Sequence, residues 1–313
     1  MLVYEYHLTL RLTQAGRLLP WLGLALRGLV AGAFRDQVCV HPPEDRRDET
    51  KWLRCKGCPE MAGCAYGQLY EPDLQPGVAA FRGQEDGIRP LVMAPYFPVT
   101  ESGQVGLEIP VRMMIAGQKR DADVELLLAT LDRVGRTNGF GGEQVTFDLV
   151  DSGMSTGTGI SLDADALPSH SRALPGHLPR VGVGLTAPLF LRNPDKSSAK
   201  KRLDRPEFTQ LFRAAMRTVS RLFALAGEPI EADFADLAQA ADQVELEDAC
   251  YEVFSQPHHS NRGNQHRSLY GVVGSGLYAN VPMSLLPWMV WGGRLHVGPH
   301  RIAGAGSWRL ILD

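Results

Sequence analysis

No stretch of the 313-residue chain reaches twenty uninterrupted apolar residues, and neither sign of charge dominates it. The nearest approach to a span, Leu18 to Phe34, carries Arg27 in its middle, follows a strand-like segment and has no small-residue cleavage site after it. We therefore read it as an amphipathic helix buried in a cytoplasmic protein with no membrane partner. The balance of 32 basic against 35 acidic residues leaves a formal charge of −3, which excludes a global positive field as the basis of any nucleic-acid binding. Cysteine is scarce as well, with five in the chain, four of them between Cys39 and Cys64. A scarce, clustered set in a chain without export signals favours a metal over a disulfide framework.

What is present is charge segregation. From Arg192 to Arg221 there are nine basic and three acidic residues, whereas Glu228 to Glu252 holds nine acidic residues and no basic ones. A phosphate responds to the local patch rather than to the total, so Arg192, Lys196, Lys200, Lys201, Arg202 and Arg205, running up to a helix, form a candidate backbone-binding segment. Two solvated faces of opposite charge are the alternative. The cysteines are spaced Cys39-x15-Cys55-x2-Cys58-x5-Cys64, and the Cys55-Lys56-Gly57-Cys58 knuckle is the usual way two thiolates reach one tetrahedral ion. That pattern points to a structural zinc held by Cys39, Cys55, Cys58 and Cys64, with an iron–sulfur cluster or plain thiols as the alternatives. A closed four-thiolate site holds a loop and performs no chemistry.

The length suits two domains. Alternation predicts a strand over Leu2 to Leu12, helical spacing a helix over Arg17 to Phe34, then strands over Leu91 to Pro98 and Val105 to Ala116, a helix over Asp123 to Val134 and a strand over Gln144 to Val150. This β-α-β-β-α-β order is the ferredoxin-like arrangement. It fills 1–152, with the cysteine-rich insertion at about 39–72 and the glycines at 139, 141 and 142 either shaping a cleft or making a tight turn. Residues 153–178 lack periodicity and read as a linker. A second pass fills 179–313: a strand over Val181 to Leu191, a helix over Arg205 to Ala226, more helix over Leu237 to Phe254, a glycine-broken strand over Ser268 to Tyr278, a short helix over Ser284 to Trp291, and a glycine loop with a final strand over Gly293 to Leu312. The predicted class is α+β, two tandem ferredoxin-like domains.

In that last segment His296, His300 and Arg301 surround Gly304 and Gly306. Glycines allow a close main-chain approach and positive φ, and successive N–H groups can then line an anion site, so these five residues are candidate phosphate contacts. A hairpin turn is the competing reading.

Ser260-Asn261-Arg262, Leu269-Tyr270-Gly271-Val272-Val273-Gly274 and Leu295-His296-Val297-Gly298 leading to Gly304-Ala305-Gly306-Ser307-Trp308 together resemble the CRISPR-associated protein six family, RNA endonucleases of the RAMP superfamily. Leu26-Arg27-Gly28, the four cysteines and Ala65-Tyr66-Gly67-Gln68-Leu69-Tyr70-Glu71-Pro72 resemble a cysteine-bearing branch of it. The resemblance implies tandem ferredoxin-like domains and cutting of CRISPR repeat RNA without a metal. Attack by a ribose 2′-OH would leave a 2′,3′-cyclic phosphate and a 5′-OH. Such chemistry needs a base, an acid and positive charge at the phosphate, and histidine suits either proton-transfer role. The resemblance points to His41 as the base, unless it belongs to the metal loop beside Cys39, with His259 and His266 as alternatives flanking Arg262; Arg262 and Arg267 join the RNA contacts, as does Arg27 unless a core carboxylate partners it. The partners it implies are repeat RNA or the processed guide, with other CRISPR effector subunits possible, for a monomer or homodimer. The alternatives are a non-catalytic RAMP subunit that only holds guide RNA and a zinc-stabilised protein-interaction module.

Overall fold

The computed structural model describes residues 1–41, 47–48, 51–52, 55, 57–72, 87–141, 143–151, 158–193, 203–260 and 265–312. The chain forms two compact units. The N-terminal unit is Leu2–Ile160 with Gln256–Ser268, and the C-terminal unit is Met1, Ser161–Ser255 and Leu269–Asp313.

In the N-terminal unit, β1 (Leu2–Leu12) alternates strictly enough to send Leu8, Leu10 and Leu12 into the core, each at most 2% exposed, while His7 and Arg11 face outward. It is followed by α1 (Gly23–Val38), α2 (Ala65–Tyr70), β2 (Leu91–Pro95), β3 (Glu108–Ala116), α3 (Asp121–Thr137) and β4 (Phe147–Asp151). Asp121 and Asp123 occupy the first turn of α3, where carboxylates complement the helix dipole. The strands are ordered β2-β3-β1-β4, antiparallel throughout, which is the ferredoxin-like sheet. A short strand β5 (Thr158–Ser161) pairs with β1 off this path. Gly139 and Gly141 both have positive φ, and Phe140 and Val145 exchange two backbone hydrogen bonds, so this glycine cluster is the tight turn into β4. Gly142 lies outside the described residues.

The C-terminal unit repeats the path with β6 (His177–Leu185), α4 (Phe208–Leu225), α5 (Phe234–Ala241), β7 (Glu245–Ser260), β8 (Gln265–Pro282), α6 (Leu286–Leu295) and β9 (Trp308–Leu312). The sheet order is β7-β8-β6-β9, the same as in the first unit. A capping box between Glu207 and Gln210 starts α4. Phe208, Leu211, Phe212, Val219, Leu222 and Phe223 are then each at most 1% exposed, at about 1.5–3 kcal/mol of transfer free energy apiece.

Two expectations differ from this architecture. The helix expected over Leu237 to Phe254 ends at Ala241, and the rest is β7, an edge strand. Its acidic run resembles a solvated helix face, but charge is also what keeps an edge strand from pairing with another chain. The segment expected as a linker is anchored from residue 158 onward. Asp233 donates its N–H to the Ser169 carbonyl at 2.7 Å, the Trp288 indole N–H donates to the Pro168 carbonyl at 3.0 Å, and the Ser284 hydroxyl donates to the Ser171 carbonyl at 2.7 Å. No helix among the described residues is long and apolar enough to cross a membrane.

Candidate functional site

The cysteine region grows from the end of α1. Cys39 caps that helix by donating its N–H to the Arg35 carbonyl, and His41 lies two residues on. Gly57, with φ of 80°, lets the chain reverse so that the Cys58 N–H reaches the Cys55 carbonyl at 2.9 Å, which forms the knuckle turn. Cys64 then caps α2, its thiol accepting from the Gly67 N–H at 3.5 Å. The floor is aromatic: Tyr66 and Tyr70 stack with ring centroids 5.1 Å apart, and the Arg35 guanidinium lies over Tyr66. Cys55 is buried, and the Glu71 carboxylate accepts its main-chain N–H at 2.8 Å. Burial first, then the Glu71 charge, pushes the Cys55 thiol up to about 12, with Cys64 and Cys39 adding to the rise. Cys58 Sγ lies 3.4 Å from His41 Nε2.

This brings Cys39 and Cys64 into electrostatic range of Cys55, and His41 onto Cys58. Among the described residues, however, no three His, Cys, Asp or Glu side chains are arranged to hold a metal ion. The thiols as placed do not fit a closed tetrahedral set, and the zinc reading rests on their spacing in sequence. His41, expected as a base, has its Nε2 directed at a thiol. Arg27 is half-buried on α1 and acts electrostatically on the buried Tyr70 hydroxyl; no carboxylate pairs with it among the described residues.

The distal end of the β7–β8 hairpin belongs to the N-terminal unit although it lies late in the sequence. Gln256, 2% exposed, holds it there. Its Oε1 accepts from the Trp21 main-chain N–H at 3.1 Å, and its Nε2 donates to the Trp21 carbonyl at 3.0 Å. Sequence reasoning missed Gln256, because nothing about a glutamine in an extended run signals that it satisfies another segment's backbone. His259, His266 and Arg267 are strand residues of this hairpin, but their side chains lie outside the described residues, as does the whole of Arg262. Lys196, Lys200, Lys201 and Arg202 also lie outside them. Arg192 is exposed.

In the C-terminal unit, the loop between α6 and β9 departs from the expected anion cradle. His296 is 2% exposed with Nδ1 3.1 Å from the Ala305 carbonyl, and Arg301, 7% exposed, donates Nε–H to the Leu295 carbonyl at 2.8 Å. The main-chain N–H groups of Val297, Ala303, Gly304, Ala305 and Gly306 all donate to carbonyls of the same unit. A nest binds anions through N–H groups left free, and these are taken. Gly304 and Gly306, with φ of 79° and 73°, serve the loop's own closure, and a Cβ on Gly306 would collide with the Val297 carbonyl. His300 is half-buried, edge-on to Phe190 at 5.2 Å between ring centroids. So His296, Arg301, Gly304 and Gly306 take part in closing the loop, and their reading as phosphate contacts rests on the sequence pattern.

Two consecutive β-α-β-β-α-β units with the same strand order define a tandem ferredoxin-like protein, a fold shared with solved Cas6 structures. Residues 1–161, just over half of the chain, match the model of the family described as AF_1859_N, N-terminal domain, and the chain belongs to that family. Similar solved structures include a Cas6 product complex, with a TM-score of 0.57 at 11% identity over 98% of this chain and 100% of that one. Cas6 from Thermus thermophilus gives a TM-score of 0.51 at 11% identity, with 99% of both chains covered. A partial Cas6-RT-Cas1-Cas2 complex gives 0.52 at 10% identity; the whole of this chain spans 46% of that one. At such identities the likeness is one of fold. No curated protein matches the chain in sequence.

Proposed function

We propose that this protein binds CRISPR repeat RNA and cuts it without a metal ion, through attack of a ribose 2′-OH on the adjacent phosphorus. The products would be a 2′,3′-cyclic phosphate and a 5′-OH. The observation that carries the reading is the tandem ferredoxin-like path, whose overall fold is similar to that of a Cas6 product complex over 98% of the chain. The proton chemistry is assigned to His41 or to the His259 and His266 pair, with Arg262 at the phosphate. His41 joins the hairpin histidines in one compact unit, which supports a shared role.

A second reading, an RNA-holding RAMP subunit without cleavage, is favoured by one observation: His41 Nε2 is engaged with Cys58 Sγ, a structural contact. One experiment separates the two. The purified chain is incubated with its host's repeat RNA in EDTA, and the product ends are analysed. Cyclic phosphate and 5′-OH ends support the first reading. A 5′-phosphate product sinks the 2′-OH mechanism, and tight binding without cutting gives the second.

A further inference from the structure

The solvent-facing side of α4 is a single row. Of its eighteen residues all are buried except Thr209, Gln210, Arg213, Arg217, Arg221 and Leu225, so the accessible stripe advances every fourth residue and is arginine at its three central positions. At 1.5 Å rise per residue those guanidinium stems stand about 6 Å apart along about 12 Å of helix. The helix contains no carboxylate, although a glutamate four residues from an arginine would stabilise it and an arginine there does the reverse. At the N-terminal end of the row the Arg213 guanidinium meets both carboxylate oxygens of Asp242, at 3.0 and 2.8 Å. Arg217, at its centre, has no carboxylate partner among the described residues. Partial burial, and then the neighbouring arginine's charge, lowers the pKa of both Arg217 and Arg221, as expected where cation follows cation. An open groove beside the stripe is lined by Arg213, Met216, Arg217, Ala238 and Asp242. Exposed Arg205 precedes the helix in sequence, with the exposed N-cap residue Glu207 between them.

We infer that the Arg213–Arg217–Arg221 seam of α4 grips the sugar-phosphate backbone of a single RNA strand. A row one side chain wide, evenly stepped and built of guanidinium forks, suits phosphates presented one after another, each able to accept two parallel N–H bonds. Successive phosphates of an RNA strand recur at a regular interval, as the carboxylates of an acidic protein segment do not, and so match guanidiniums stepped about 6 Å apart along one stripe. The seam reads backbone and not bases, so it adds affinity without sequence preference. The inference rests on the RNA-binding part of the proposed function and is independent of cleavage.

The test uses the full chain, a fluorescent twenty-residue oligouridine carrying 4-thiouridine, and anisotropy over a salt series. Each phosphate contact on a single strand adds about 0.7 to the slope of log K against log salt. Arg217→Gln with Arg221→Gln should therefore flatten the slope by about 1.4, and Arg217→Lys with Arg221→Lys should keep most of it. Photocross-links are expected within residues 203–225. An unchanged slope in the glutamine variant, cross-links confined elsewhere, or seam-dependent binding of polyglutamate in place of RNA overturns the inference. Cleavage of repeat RNA by the unaltered chain is scored separately. A flattened slope with no cutting removes the nuclease and keeps the seam; cutting with an unchanged slope does the opposite.

Discussion

Replacing Gln256 tests whether a single side chain fixes the hairpin that carries His259, His266 and Arg262. Gln256→Ala removes two neutral hydrogen bonds, each about 0.5–1.5 kcal/mol net, and deprives a main-chain N–H and C=O of them at Trp21, which is 0% exposed. Losing a buried partner costs about 1–3 kcal/mol for each group left behind, so with some relaxation the sum is about 3 kcal/mol. At about 3 °C per kcal/mol for a unit of this size, the unfolding midpoint should fall by about 9 °C. Hydrogen exchange should quicken at residues 19–22 and 256–260 before it does so in β1. Gln256→Glu supplies a sharper check. Protonated, its carboxyl has the shape and the donor of the amide, so it should nearly match the parent near pH 4. Ionised, it accepts from Trp21 but cannot donate, and burial of the charge raises its folded-state pKa above the unfolded value. Stability is then present below the unfolded pKa and lost as pH rises, so at pH 7 this variant should fall to or below Gln256→Ala. A loss under about 0.5 kcal/mol for the alanine variant, or a pH-independent glutamate variant, would refute the reasoning.

Gly306→Ala should destabilise the C-terminal unit by about 2–4 kcal/mol, from the left-handed backbone and the collision with Val297; denaturant unfolding checks it, and a neutral result would mean the loop is not closed as described. His41→Ala and Cys58→Ser, compared side by side, separate the roles of the histidine. Removing a reaction base lowers repeat-RNA cleavage by about 10²–10⁴ with an unchanged unfolding midpoint, whereas breaking a structural pair lowers the midpoint similarly in both variants. For the cysteines, the spacing predicts one zinc per chain by mass spectrometry of the purified protein, removed by Cys55→Ser with Cys58→Ser; a metal-free chain of undiminished stability would end that reading.

The fold is legible where the apolar period is strong. β1 can be read to its ends because Leu8, Leu10 and Leu12 alternate with His7 and Arg11, and α4 because its apolar positions cover nearly every face but one. It is illegible where composition answers to a different constraint. β7 carries the charge that protects an edge, and that charge looks helical. The candidate sites divide along the same line. The knuckle turn follows from Gly57 and local spacing, and sequence reaches it. In the terminal loop the glycines and cationic side chains can be counted from the sequence, but where the N–H groups go cannot.

The terminal loop bears on how a basic residue should be weighed. Arg301 and His296 are prominent in the sequence because they stand beside glycines, yet Arg301 donates its Nε–H to the Leu295 carbonyl and His296 Nδ1 lies against the Ala305 carbonyl. Arg213, Arg217 and Arg221 draw no notice singly, because arginines on a surface helix are ordinary. Their meaning lies in what the row omits. Solvated helices of mixed charge gain stability from opposite charges four residues apart, and α4 declines that gain at both steps, at about 0.2–0.5 kcal/mol for each like pair. The helix is otherwise buried, and its one open stripe is cationic although like charges four residues apart cost it stability. The inference for α4 therefore rests on the even spacing of arginines along one stripe, not on the density of basic residues around glycine.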